Sequence, residues 1–215
     1  MALTEPLDIL SDFPGWVTDF DLQYRQEQSR VAGGRTYLKD LGPSLWAMSA
    51  RTKTLSPNHL DHWRARLQAM ESGMLTFIGY SLSRKYPIRY PKGAWPTGVA
   101  FNGVAALHTV GANRKSVRVS NLPAGFVLSI GDMIRIGAGD LHRVMEGATS
   151  DGAGLTPLFE VRPHLWPSVV GNENPPLAVS VFKPHCIMSV APGSISTSAD
   201  LSGRGSVSFQ AIEAR

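Results

Sequence analysis

The residues of this chain that are suited to metal binding are few. His59 and His62 have the i, i+3 spacing that can present two imidazoles on one side of a helix, as zinc sites require. Asp61 stands next to them but points elsewhere on a helix, and no third ligand is evident in the sequence. We therefore interpret the pair as part of a solvated polar helix face and predict no metal site.

The single cysteine follows a histidine, as His185-Cys186. A nucleophilic thiol needs a nearby base and a setting that lowers its pKa, such as a strand-to-helix turn. Cys186 instead precedes Ile187 and Met188 in a strand-like run, which predicts a small buried hydrophobic residue. One cysteine also excludes a disulfide framework and any multi-cysteine metal cluster.

A serine-hydrolase arrangement could be drawn from His142, with Asp132 or Asp140 and one of many serines. The sequence has no G-x-S-x-G motif to anchor such a triad. Neither a G-x-G-x-x-G turn opening a helix nor a phosphate-binding G-x-x-x-x-G-K-[ST] loop is present. We predict that the protein is not an enzyme and has no catalytic, metal or cofactor site.

Composition favours a protein covered by neighbouring subunits. Charged residues make up 18% of the 215 residues, below the usual ~25%, and the formal net charge is +4. No apolar run approaches ~18 residues, and the N-terminus lacks the layout of a signal peptide. We expect no membrane association and a protein made and kept in a reducing cytoplasm.

One segment combines aromatic and basic side chains. Residues 81–115 are rich in Pro, Gly and Tyr, which predicts an extended loop. Interleaved rings and charges are what single-stranded nucleic acid needs, but a loop packed on its own domain or on a neighbouring subunit gives the same pattern. We predict a subunit or partner interface, with Arg84, Lys85, Tyr86, Arg89, Tyr90 and Trp95 as its candidate residues.

The elements that would position these residues are mainly strands. One amphipathic helix is predicted at about 57–72, with Ser56 as N-cap, Pro57 at the first position and Gly73 as the stop. Most of the other strands are short and follow Gly-rich turns at intervals of 8–12 residues, as in a small antiparallel barrel or sandwich.

Two linkers suggest the domain division. The fold expected is mainly β: a tube-like β-sandwich or split barrel with one helix, plus an inserted small antiparallel β domain. Residues 1–85 together with 174–215 would form the first domain, and residues 86–173 the inserted barrel.

A Gly-Asp strand, an LHRV strand and a DGAG turn before P-x-L occur in that order along the chain. This order of motifs resembles that of a family of tail proteins of proteobacterial phages and prophages, and similar stretches span most of the chain. Gly93–Arg114 and the Ser-rich turn Ser196–Gly205 depart from the pattern. The matching stretches are Leu45–Ala50, Asp61–Leu67, Val119–Gly125, Leu128–Ile134, Leu141–Val144, Asp151–Gly154, Phe159–Leu165 and Val207–Ala214.

The resemblance implies a non-enzymatic distal-tail or hub-adaptor subunit in the virion tail tip, assembled in the host cytoplasm. It implies a ring of six or three copies, contacts with tail tube, hub and fibre proteins, and a lumen that passes DNA without sequence recognition. The motif residues are then fold determinants: Gly131, Asp132, His142, Arg143, Asp151, Gly152, Gly154, Arg162 and Pro163. The alternatives from the residues alone are a β-barrel module that binds nucleic acid or carbohydrate, and a small hydrolase.

Overall fold

The computed structural model describes residues 4–98 and 100–214. The chain is mainly β, with 40% strand and 10% helix, which confirms the predicted class. Residues 1–3, 99 and 215, which the predicted domain ranges include, lie outside the described part. No helix in the described part is both long and apolar enough to cross a membrane.

The described residues form one α-helix, α1 (Pro57–Gln68), and three short 3₁₀ turns at Glu71–Gly73, Pro91–Gly93 and Pro96–Gly98. The strands are β1 (Gly15–Gln23), β2 (Gln26–Arg30), β3 (Thr36–Asp40), β4 (Leu45–Thr52), β5 (Thr76–Gly79), β6 (Val104–Val110), β7 (Ser116–Ser120), β8 (Val127–Leu128), β9 (Met133–Ile136), β10 (Asp140–Val144), β11 (Ala148–Thr149), β12 (Phe159–Arg162), β13 (Ala178–Ser180), β14 (Cys186–Val190), β15 (Ser196–Ala199) and β16 (Gly205–Glu213).

The chain folds into two compact units. The first contains the residues up to Asp21, Trp46–Lys85, and the chain from Lys183 onward; the second contains Leu22–Leu45 and Tyr86–Phe182. Residues 174–182, expected in the first domain, belong to the second unit because β13 pairs with the barrel strands β6 and β9. Residues 22–45, also expected in the first domain, cluster with the second unit.

The first unit is an open antiparallel sheet under one helix. Its strands run in the order β1-β4-β16-β14-β5, and β15 pairs with β16. Strand β16 alternates buried and half-buried side chains, so Phe209 points toward the core. Trp63 of the helix meets Phe13 edge-on at 5.4 Å, and Phe13 meets Phe209 at 5.9 Å. The buried stripe of the helix therefore covers one face of this sheet.

The helix ends earlier than its sequence pattern predicted. It stops at Gln68 rather than near residue 72, and a 3₁₀ turn follows. Glu71 and Ser72 have φ of 49° and 52°, a left-handed backbone that an α-helix cannot contain. Met70 is fully buried after the helix end, so packing of the connection determines where the helix stops.

The second unit contains a closed six-stranded barrel in the order β10-β12-β7-β6-β13-β9. Its interior is filled by aliphatic side chains such as Leu107, Val119, Ile134 and Val179, with Phe159 among them. Because the barrel is closed, every one of its strands has a hydrogen-bonded neighbour on both sides. Strand β6 lies within residues 81–115, so the prediction of a loop throughout that stretch is wrong.

Several further strands, among them β15, β2 and β3, were not predicted. β15 occupies part of the segment that was interpreted as a turn, because its backbone pairs with β16 from Ser196↔Ser208 to Ala199↔Gly205. β2 and β3 form an isolated hairpin, paired from Gln26↔Asp40 to Arg30↔Thr36.

The chain leaves the first unit after Lys85 and returns to it at Lys183, and these two residues are neighbours in the fold. The Lys183 amide donates to the Lys85 carbonyl oxygen at 2.7 Å. The Lys183 ammonium donates to Asp8 at 2.7 Å and lies 4.5 Å from the ring centre of buried Tyr80. Burial raises the pKa of Tyr80, and the charge of Lys183 opposes this rise.

Candidate interaction surfaces

The hairpin β2–β3 is exposed on every side. All residues from 23 to 41 are exposed, and the two strands pair only with each other. Successive side chains of a strand point to opposite faces, so Tyr37 and Leu38 lie on the two faces of the ribbon. Tyr37 is 57% exposed and Leu38 is 68% exposed. Neither face of the hairpin is therefore covered within the chain.

More apolar side chains line the same hairpin. The pairing is antiparallel, with Glu27 directly opposite Lys39, which favours the observed register. A two-stranded ribbon without a packed face is only marginally stable in water. The exposed large hydrophobic residues here are Tyr24, Val31, Tyr37, Leu38 and Leu41.

The predicted interface segment from Arg84 to Trp95 is divided between the two units. Arg84 and Lys85 belong to the first unit and are exposed. In the second unit Arg89 is exposed and Tyr86 is half-buried. The basic side chains of the segment are thus available to solvent, whereas its aromatic rings are buried or half-buried.

The aromatic residues pack into the core of the second unit. Tyr90 is 6% exposed, and its hydroxyl accepts a hydrogen bond from the Val127 amide at 2.8 Å. Its ring lies 4.5 Å from that of Phe126, and Trp95 lies 5.9 Å from both rings. The ring of Tyr90 is thus part of the barrel core and the partly buried ring of Trp95 packs against it, while a partner interface at this segment stays a prediction.

Gly131 and Asp132 fix the start of β9. Gly131 has a φ of +91°, a conformation that side chains rarely adopt. Asp132 is 2% exposed, and its carboxylate accepts the amides of Ile88 at 2.7 Å and Ser129 at 2.8 Å. Asp132 therefore holds the segment around Ile88 on the barrel. The two residues are 44 positions apart, so local sequence patterns do not reveal this hydrogen bond.

The Asp151–Gly154 turn is also held by a carboxylate. Asp151 Oδ1 accepts the amides of Ala153 at 2.8 Å and Leu155 at 3.0 Å. Gly154 has a φ of +76°, and a Cβ there would overlap the Leu122 carbonyl oxygen. At exposed Gly152 a Cβ would meet nothing within 4 Å. Gly154 is the position in this turn that requires glycine.

His142 is fully buried on β10, and its Nδ1 lies 2.9 Å from the Pro163 carbonyl oxygen. Since a carbonyl only accepts, Nδ1 carries the proton in this contact. Arg143 pairs directly opposite Arg162 across β10 and β12, and Glu160 offsets the repulsion with an ion pair of 2.8 Å to Arg162. These motif residues act in the structure of the barrel.

The residues with catalytic or metal-binding chemistry are dispersed. His59 and His62 are both exposed on α1, as expected for a solvated helix face. Cys186 is fully buried in β14, which confirms the prediction of a small hydrophobic residue. Within residues 4–98 and 100–214, no three His, Cys, Asp or Glu side chains come together in a way that could hold a metal ion.

No protein-family model matches the chain, and neither does any curated protein.

Proposed function

We propose that this protein is a structural, non-enzymatic subunit of a phage tail tip or baseplate. In this proposal copies of the chain assemble into a ring that joins the tail tube to the distal hub or fibres, around a lumen that passes DNA without sequence recognition. The observation that supports it best is the hairpin β2–β3, which is exposed on both faces and carries large apolar side chains on each.

The physical argument begins with the instability of a lone ribbon. A hairpin without a covered face gains little from burial, so a sequence that keeps Tyr37 and Leu38 on opposite faces is best explained by a neighbour. A ring requires a heterologous contact, in which a projecting element of one subunit meets a different surface of the next. A projecting hairpin fits that role.

The other features agree with an architectural role. The low content of charged side chains suits large subunit contacts. His142 and Cys186 are buried, and the matched motif residues maintain turns and pairings of the barrel. The runner-up function, a nucleic-acid or carbohydrate module, has less support because the ring of Tyr90 is buried in the core and that of Trp95 packs against it, partly buried.

The test is the mass of the purified chain in solution by light scattering, with negative-stain images of the same sample. We expect a ring of six or three copies with a central hole. The variant Tyr37→Ser/Leu38→Ser should dissociate the ring, because it removes one apolar side chain from each face of the hairpin. Met74→Ser, which changes a side chain that is 76% exposed outside the hairpin, is the matched control and should leave the ring intact.

Hydrogen exchange covers the case of a ring that forms only on its neighbours. Amides of the hairpin should exchange more slowly as the protein concentration rises, even where complete rings are rare. A monomer at all concentrations, with hairpin exchange that does not depend on concentration, would contradict self-association through this element.

A further inference from the structure

A polar groove on the first unit has the chemistry of an anion site. It lies between β4 and the β15–β16 hairpin and has a volume of about 340 Å³. Two guanidinium groups and three hydroxyl groups line it. The lining residues are Arg51, Thr54, Ser198, Ala199, Asp200, Arg204, Gly205 and Ser206.

The walls of the groove are fixed by backbone pairing. Gly205 bridges to Leu55, with its carbonyl oxygen accepting the Leu55 amide at 2.7 Å. On its other side Gly205 pairs with Ala199 of β15, and a Cβ at Gly205 would overlap the Ser198 carbonyl oxygen. Strand β4, which carries Arg51, and the start of β16, which follows Arg204, are therefore held in place, and a ligand would meet a framework that is already formed.

The turn at the end of the groove is rigid as well. Asp200 Oδ1 accepts the Ser202 amide at 2.9 Å, the Ser202 hydroxyl at 2.6 Å and the Arg204 amide at 3.0 Å. These hydrogen bonds, led by that of the Ser202 hydroxyl, hold the pKa of Asp200 below its usual range. The carboxylate thus stabilises the turn by accepting these hydrogen bonds, and the turn fixes the backbone at Arg204.

The charge of the groove is positive. Arg51 and Arg204 are exposed, and no carboxylate in the described part of the chain forms an ion pair with either within 4.0 Å. Asp200 is the only acidic residue of the lining, so two positive charges face one negative charge. Nη2 of Arg51 donates to the Ser206 hydroxyl at 3.4 Å, and that hydroxyl lies 3.2 Å from the Ser198 hydroxyl.

This donor set fits a tetrahedral oxyanion. Guanidinium groups present forked N–H pairs that match the oxygens of phosphate, and serine hydroxyls supply further donors. We propose that the groove binds a phosphate group, held between Arg51 and Arg204 and hydrogen-bonded by Ser198 and Ser206. The proposal is independent of the ring assembly, because it uses residues of one chain only.

The experiment measures the ³¹P transverse relaxation of inorganic phosphate in the presence of the full chain at low ionic strength. Binding to a large, slowly tumbling protein should increase this relaxation in a saturable way. Arg51→Gln and Arg204→Gln should each weaken binding by about threefold to fivefold, the effect expected for partly exposed ion pairs, and the double variant should abolish saturation. Arg64→Gln, at an exposed helix position, is the control and should bind as the wild type does.

The remaining arms identify the source of the phosphate. If adenosine monophosphate binds more tightly than glucose 6-phosphate, the natural ligand is a nucleotide. The reverse order identifies a phosphorylated sugar. Equal binding means that the groove recognises the phosphate group alone. Saturable relaxation that persists unchanged in the double variant, with its fold verified by circular dichroism, would overturn the proposal. So would equal displacement of phosphate by chloride at matched ionic strength, or the absence of saturable relaxation in the wild type.

Discussion

Replacing Asp132 with alanine should destabilise the barrel by several kcal/mol. The carboxylate is buried and accepts the amides of Ile88 and Ser129 at 2.7 and 2.8 Å. Hydrogen bonds to a charged acceptor contribute about 1.5–3 kcal/mol each, so losing both costs about 3–6 kcal/mol. Native domains are stable by only about 5–15 kcal/mol, so the change is large enough to unfold part of the population.

The exposed Asp151 provides a matched control, because it also accepts two backbone amides within hydrogen-bond distance. Water can replace the lost acceptor there, so Asp151→Ala should lower the free energy of unfolding by about 1 kcal/mol. Urea unfolding followed by peptide-resolved hydrogen exchange reports the two units separately, which matters because a two-unit chain need not unfold in one step. In the Asp132 variant the amide of Ile88 should lose protection first.

Two results would refute this reasoning. One is a decrease of less than about 1 kcal/mol in the free energy of unfolding of the Asp132 variant, which would mean that the buried amides find other acceptors without cost. The other is an equal loss in both variants, which would mean that burial does not amplify the contribution of the carboxylate.

Three further predictions concern single residues. Tyr90→Phe removes the acceptor of a part-buried amide and should lower barrel stability by about 1–2 kcal/mol, measured by urea unfolding; an unchanged midpoint would argue against the observed hydrogen bond. Gly154→Ala should destabilise the barrel by more than about 2 kcal/mol, because the cost of a positive φ adds to the cost of overlap with Leu122. Gly152→Ala should leave the stability nearly unchanged in the same assay. Burial raises the pKa of Tyr80, so the folded protein favours the neutral phenol. The contribution of this neutral phenol to the free energy of unfolding is present below pH ~10 and is lost as the pH rises through the raised pKa. Ultraviolet titration should show one late-ionising tyrosine that is absent in Tyr80→Phe.

Much of the barrel could be predicted because its strands have local signals. Gly131 and Gly154 mark turns, and Val117 and Val119 alternate with polar side chains as a half-buried strand does. The hairpin β2–β3 escaped prediction because it has no buried face, and alternation of hydrophobic residues is the signal on which strand prediction depends. The Gly33-Gly34 pair between its strands was the remaining local indication.

The burial of the residues in the candidate interface segment could be predicted only in part, for a different reason. Aromatic spacing in an irregular segment has no period, so the sequence does not say whether Tyr90 points to solvent or to the core. Its orientation is decided by Phe126, 36 positions away, against which its ring packs at 4.5 Å. The exposed positions of Arg84, Lys85 and Arg89 follow from their charge and were predictable.

The hydrogen bond between Lys85 and Lys183 also bears on how such a chain can change during evolution. The 97-residue stretch between them begins and ends at neighbouring points, so its length hardly affects the geometry of the sheet that carries it. Recombination at these two positions could exchange one accessory module for another while the host sheet stays intact. The adjacent ends make this a natural site for modular replacement, and an equally convenient one for grafting a foreign domain.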